Sequence, residues 1–523
     1  MSIPAVLLSN VKNESQNVEV TTDVLEPNSL SQNRVVFVIP KKADVLDSKS
    51  ALKIRVSWES YTDADRRDIS GKWFSGLLGM IKNARLYAAG QLISDLRHAG
   101  EKIHLDKCFK SQEFREEYCD LKTGGNSRFQ VSEKTDLWNA GSAKSSVNGS
   151  IRNVDSGLRS LAEPYYRGIG TEQDKNGFEF FVLLEELFPM MKDIQLPVRH
   201  LQDEVRIEID FEQDQDNYLF ASATNLDAGG TGITLPLASR KVRIQDCVLF
   251  LDFIKYDDSI SAALEEQLNT TGVSVPFRQT AIITQALPVL GNNAVNNSND
   301  VLLGQEGRSV MKIYCAKKYA RTQAGLRDGI NQTWNFQGEC RSEALLNEEV
   351  QCVINGLQMF DRNIVNNHEK YSYLSFAGES SFCAFPDSYE YNHNYNAVAD
   401  ATDVLYSEGS GVQATARTNT MLGRPNCFVG DTGGTLATGG GVGFWKDGTC
   451  GSQNYIGIDC AKYSNGGDTP LNGLRIGATP IVFRLQRDSG TDTRTKSSVG
   501  LTFFVEYLRL FDLKSGMVGV RDL

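Results

Sequence analysis

Five histidines, ten cysteines and three Asp-Thr/Ser-Gly triplets are the residues of this 523-residue chain whose types and spacing could do chemistry. The triplets begin at Asp155, Asp431 and Asp488. An aspartic protease needs two such carboxylates sharing one proton, each at the end of an apolar strand. Here Asn153-Val154, Gly430 and Gln486-Arg487 precede them, and Asp, Ser and Gly together favour turns, so turns are what we expect. His98, His104, Cys108 and Cys119 are the one cluster of ligand types, but their spacing matches no zinc pattern and Cys-x-x-Cys is absent. The glycines of 433–443 lack the Gly-Lys-Ser/Thr and the G-x-G-x-x-G register of phosphate-binding loops. No Gly-x-Ser-x-Gly elbow accompanies His98, His104, His200, His368 or His393. Cys340, Cys352, Cys450 and Cys460 read as small packing residues. We therefore expect no catalytic, metal or cofactor-binding residues, no cofactor and no enzyme.

The elements that would position any site are strands. In 204–211 Val205, Ile207, Ile209 and Phe211 alternate with Glu204, Arg206, Glu208 and Asp210, which puts one face on a core and the other in water. Ile54, Val56 and Trp58 alternate in the same way. Denser apolar runs at 35–39, 180–184, 248–254, 481–485 and 501–513 suit strands buried on both faces. Helical spacing is scarce. The best case is 343–365, with Leu346, Val350, Val353, Ile354, Leu357 and Phe360, and short amphipathic helices are expected at 111–118 and 261–268. The fold class is all-β.

Two halves of the chain end alike. Leu196-Pro197-Val198 leads to the strand at 204–211, a polar loop and the apolar run 242–256 (VRIQDCVLFLDFIKY). Leu471 to Leu474 leads to 481–485, a polar loop and 501–513 (LTFFVEYLRLFDL). We read an internal duplication of one β-sandwich. The expected organisation is an N-terminal arm 1–33, a first sandwich 34–258 with a loop insertion at 120–177, a linker 259–275, and a second sandwich 276–523. The second carries the helix at 343–365 and a Gly-rich insertion at 409–477, where 17 of the 46 glycines fall.

Charge narrows the partners. The net charge is -11, and residues 1–34 offer only Lys12 and Arg34 against Glu14, Glu19, Asp23 and Glu26. Neither the bulk surface nor an arm suits gripping phosphate backbones. A hydrophobic fraction of 41% and a mean hydropathy of -0.31 are those of an ordinary globular chain. No run approaches the ~20 apolar residues of a membrane span. The run 4–8 has no basic residues ahead of it, so we expect no secretion and reduced cysteines.

At 79–93 (GMIKNARLYAAGQLI) the chain resembles an early strand pair of double jelly-roll major capsid proteins. The passage from Leu187-Phe188-Pro189 through Leu196-Pro197 to 204–211, and the last strand with its Gly and short tail at 503–516, resemble the same family. Size and the passage 454–516 look most like the capsid proteins of polinton-like viruses and virophages, and next like those of nucleocytoplasmic large DNA viruses. The Gly-rich stretch 409–450 departs from that pattern. The resemblance implies two eight-stranded jelly rolls side by side, and a homotrimer forming a pseudo-hexagonal capsomer of an icosahedral shell. It also implies outward loops, for which 120–177 and 409–477 are the candidates. The partners implied are other capsomers, penton and minor capsid proteins and an internal membrane, with no sequence-specific nucleic acid. The implied location is the virion, assembled in the host cytoplasm or nucleus. The competing readings are a carbohydrate-binding or carbohydrate-active β-sandwich, for which Tyr389, Tyr391, Tyr395, Asp387 and Glu390 would line a groove, and a monomeric scaffold of β-sandwiches.

Overall fold

The computed structural model describes residues 19–42, 44–58, 69–71, 80–109, 178–212, 219–221, 242–319, 342, 345–365, 367–378, 455–463, 473–490 and 496–523. The first half contributes β1 (Glu19–Leu25), β2 (Ser29–Leu30), β3 (Arg34–Ile39), β4 (Val45–Leu46), β5 (Ala51–Trp58) and β6 (Ile69–Gly71). It continues with β7 (Ile81–Ala88), β8 (Gln91–Arg97), β9 (Phe178–Leu183), β10 (Val205–Phe211), β11 (Leu219–Ala221) and β12 (Val242–Lys255). The second half contributes β13 (Val273–Leu287), β14 (Asn297–Leu303), β15 (Ser309–Tyr319), β16 (Glu349–Ile354) and β17 (Leu357–Gln358). After these come β18 (Ile456–Asp459), β19 (Leu474–Arg475), β20 (Ile481–Arg487), β21 (Val499–Lys514) and β22 (Met517–Asp522). Three helices matter below: α1 (Ala99–Cys108), α2 (Asp258–Thr270) and α3 (Asn367–Ala377).

Four antiparallel sheets hold most of the strands, and β6 pairs with β11 in a separate two-stranded sheet. Sheet 1 runs β1-β12-β5-β9 and sheet 2 runs β2-β3-β10-β7-β8. Sheet 3 runs β13-β21-β15-β18 and sheet 4 runs β14-β20-β16-β17. Leaving out β2, β4, β6, β11 and β19, of two or three residues each, and the C-terminal β22, each half has eight strands. Counted from one within each half, both halves read 1-8-3-6 in one sheet and 2-7-4-5 in the other. Each half is thus an eight-stranded jelly roll, and the duplication seen in the sequence holds strand by strand.

Alternation builds these sheets. On β10, Val205, Ile207, Ile209 and Phe211 are buried while Arg206 is exposed. Glu208 is also buried, because Arg34 reaches it at 2.7 Å and Arg206 at 3.2 Å. In the second sandwich Phe483 of sheet 4 meets Phe503 of sheet 3 edge-to-face, centroids 5.0 Å apart, both fully buried. β21 alternates along 16 residues, its odd positions facing inward.

Four expectations are corrected. The stretch 343–365 is not a helix: Val350, Cys352 and Ile354 are buried at period two on β16, in a β-branched sequence that packs well on a pleated surface. Asn355 and Gly356, at φ 52° and 79°, then make the tight hairpin turn into β17. The helix of this region is α3, just beyond. The arm 1–33 is in part sheet, since β1 pairs with β12 along its whole length and β2 pairs with β3. β1 escapes notice because Val20 and Val24 are exposed and its sequence has no buried apolar row. The linker 259–275 is largely α2, capped by Asp257 and burying Leu264 and Leu268, and its last residues already belong to β13. The Gly-rich stretch 409–477 includes the sheet strand β18, and the tail after Gly516 is β22. The expected helix at 111–118, the insertion 120–177 and residues 409–454 lie outside the described residues.

Candidate functional site

Buried charged groups gather where the two sandwiches meet. β13 and β21 are longer than the second sandwich requires, and their ends reach the first. Val273, Val275 and Phe277 of β13, Phe511 and Leu513 of β21 and Val518 of β22 are buried in the same apolar cluster as Phe37, Leu187 and Ile207. The first core therefore continues into the second half, through burial worth about 25 cal/mol per Å² of apolar surface.

Charged groups cross the same seam. α1 follows β8 and lies against the outer face of sheet 3. Its Lys102, 2% exposed, pairs with Asp106 one turn on and with Glu506 of β21 at 2.7 Å. Glu101 pairs with Lys318 of β15 at 2.8 Å. Arg278 of β13 grips Asp193 of the first half, with Nη2 to Oδ1 at 2.9 Å and Nε to Oδ2 at 3.1 Å. Burial would raise the Glu506 carboxyl, but Lys102, Lys312 and Arg278 overcome it and hold it at about 2. Burial likewise opposes the Lys102 charge, and Asp106 and Glu506 more than offset it, so the amine is raised.

A group held below its ordinary value in the folded chain stabilises it above the ordinary range and loses that contribution as pH falls through the folded value. The seam should therefore keep its Glu506 contribution at neutral pH and lose it between about 4.5 and about 2. Urea midpoints measured across that window should fall for the natural chain, and the slope should flatten in E506Q.

Asp44 is the third buried anchor. It is fully buried, accepts from Ser261 Oγ of α2 at 2.7 Å and Tyr256 N at 2.9 Å, and pairs with Arg199 at 3.1 Å. Burial would raise its carboxyl; these three partners lower it instead. Nearby, a cleft of about 500 Å³ is lined by Arg199, His200, Glu265, Asn269 and Ser515 among others. His200 is buried, which lowers its pKa, and its Nε2 lies 4.0 Å from Asp44. Among the described residues the buried Nε2 of His200 has no hydrogen-bond partner. The cleft's floor depends on Gly516, at φ +78°, where a Cβ would sit 3.0 Å from Gln202 N and 3.2 Å from His200 O. G516A should cost about 1–3 kcal/mol, read as a lower denaturant midpoint.

Among the described residues, those singled out in the sequence do not gather. His98 is 45% exposed and 3.6 Å from Glu101, while the side chains of His104 and Cys108 and all of Cys119 lie outside the described residues. Asp488 organises a loop: its carboxylate accepts from Asn296 N at 2.6 Å and Asn347 Nδ2 at 2.9 Å. Cys352 and Cys460 are buried, which pushes the Cys352 thiol up to about 12 and Cys460 well above its usual range. The side chain of His368 and residues 433–443, Asp155, Asp431, Cys340, Cys450, His393, Asp387, Tyr389, Glu390, Tyr391 and Tyr395 lie outside the described residues. Among the described residues no three His, Cys, Asp or Glu side chains come together as a metal ion would need. Sequence reasoning missed Lys102, Lys317, Glu348 and Glu506. The signal was a charge inside an apolar run, as in LTFFVEYLRL, which obliges a buried partner.

No family model and no curated protein sequence matches the chain. Solved structures do. A chain of the Sputnik virophage superposes with a TM-score of 0.55 at 10% identity, over 98% of this chain and 90% of that one. A chain of the PBCV-1 virus capsid gives 0.52 at 10% identity, over 98% and 99%. PBCV-1 VP54, fitted into a reconstruction of Sputnik, gives 0.50 at 10% identity over the same shares. With two jelly rolls threaded in one strand order and full-length superposition on these structures, the chain carries the double jelly-roll fold.

Proposed function

We propose that the chain is a major capsid protein: three copies close into a pseudo-hexagonal capsomer, and capsomers tile an icosahedral shell. The observation that carries this is the repeated strand order, together with superposition along 98% of the chain on a virus capsid chain. A fused pair of like sandwiches supplies two of six similar positions, so three chains fill a ring. The two jelly rolls act as the two units, and the described residues assemble no catalytic constellation, which suits a load-bearing part. The further partners are penton and minor capsid proteins and an internal membrane, with the genome packed by other components, and the chain's place is the virion. The acidic balance, -11 overall, supports a shell that does not itself bind nucleic acid.

Light scattering after size exclusion, with negative-stain images of the same peak, tests this. A mass near three times 57.8 kDa with three-fold or hexagonal particles is expected. A monomer that persists at high concentration would end the capsomer reading.

A further inference from the structure

The cleft beside Asp44 is assembled from three places in the chain. The 3-10 turn Val198–His200 supplies Arg199 and His200, α2 supplies Glu265 and Asn269, and the turn from β21 to β22 supplies Ser515. Gln202 N donates to Gly516 O at 2.8 Å and Ser515 N to Leu268 O at 3.0 Å, so backbone bonds pin the three walls together. Neither half holds the site alone. Its volume, about 500 Å³, suits a short peptide rather than a lone ion.

Arg199 is the held cation of this cleft. Its Nη1 donates to Asp44 Oδ1 at 3.1 Å, and Asp44 is fixed in turn by Ser261 Oγ and Tyr256 N. Among the described residues Arg199 has no other acceptor, so the fork formed by its Nε and Nη2 is open. A guanidinium fixed on one side by a buried carboxylate presents its other side with little freedom left to lose. That fork matches the two oxygens of a carboxylate. His200 stands next to it, its side chain 6% exposed and its Nε2 without a hydrogen-bond partner. A buried polar atom in that state costs stability unless a ligand answers it.

Donors ring the space. Arg199, the side-chain amides of Gln202 and Asn269 and the Ser515 hydroxyl can all donate, while Glu265 is the one carboxylate among the lining residues. The charge of Glu265 disfavours a doubly charged phosphate, and its oxygens suit the N–H next to a peptide carboxylate. Leu268 and Met517 add an apolar side. We infer that the cleft binds a carboxylate-bearing peptide segment of a partner protein, with the carboxylate on the Arg199 fork beside His200. The inference goes beyond the capsomer reading and holds for one copy of the chain as for three.

Calorimetric titration of the full chain tests this with four probes. Two carry a carboxylate, acetyl-Leu-Glu-Leu-amide in a side chain and acetyl-Leu-Leu at its C-terminus. Acetyl-Leu-Gln-Leu-amide is the neutral match, and inorganic phosphate is the other anion. At least one carboxylate peptide should bind about tenfold more tightly than the neutral match, and the one that does names the source. R199K keeps a cation for Asp44 but lacks the fork, so it should lose about tenfold in affinity. H200F removes the unanswered nitrogen, so it should keep the natural melting profile and bind more weakly. N269W narrows the rim from an exposed position, and it carries the variant test if the other two melt early. No binding of either carboxylate peptide, equal binding of the neutral match, or tighter binding of phosphate would overturn the assignment. So would carboxylate binding that is unchanged in any folded variant. None of these outcomes touches the mass in solution, so the capsomer reading is judged separately.

Discussion

Exchanging Glu348 for Gln should cost about 3–5 kcal/mol, because it strands two buried ammonium groups. Glu348 is 1% exposed and takes both oxygens to Lys317 Nζ, at 2.5 and 2.7 Å, while Lys370 of α3 approaches at 3.2 Å. Lys317 is fully buried and Lys370 3% exposed, so water cannot replace the lost carboxylate. Burial draws the Lys317 amine down to about 8, against the upward pull of Glu348. Burial would raise Glu348, and the two lysines reverse it. Calorimetry should show E348Q melting well below the natural chain, with K317M added to E348Q recovering part of the loss. The pH dependence supplies a second reading. The unfolded lysine binds its proton more tightly than the folded one, so stability should rise from pH about 8 toward 10.5, and K317M should remove that rise. An E348Q chain that melts like the natural one would mean the three charges are not a closed buried cluster.

Lys102→Met should also cost about 3 kcal/mol or more, and the damage should sit at the seam. The change leaves Asp106 and Glu506 facing each other across the place where the ammonium stood, with Lys312 and Arg278 still near Glu506. Amide exchange should accelerate on α1 and the middle of β21 before it does so on β10 or β20. A double-mutant cycle with E506Q isolates the pair, and a coupling near zero would show that the cross-seam contact is apolar in substance.

The strands were legible where alternation was clean. β10, β12 and β21 stand in the sequence as period-two or doubly buried runs, and the duplication followed from their order. β16 was misread because Leu346, Val350, Val353, Leu357 and Phe360 also fit helical spacing; the Asn355-Gly356 pair carried the decisive hairpin signal. β1 was invisible because an edge strand paired on one side needs no buried row. The seam was legible only in part. A lone Glu506 within an apolar run announces a buried partner, but which residue answers it, hundreds of positions away at Lys102, is set by the tertiary fold.

β13 and β21, whose inner faces belong to one core at one end and to the other core at the opposite end, bear on how such a molecule fails. The first half does not close its own core. Pulling the halves apart would strip apolar surface from both at once, so there is no cheap partly opened form in which one sandwich stands while the other melts. The chain should lose its structure in a single step. That makes the two halves mechanically one body, with no hinge at its waist.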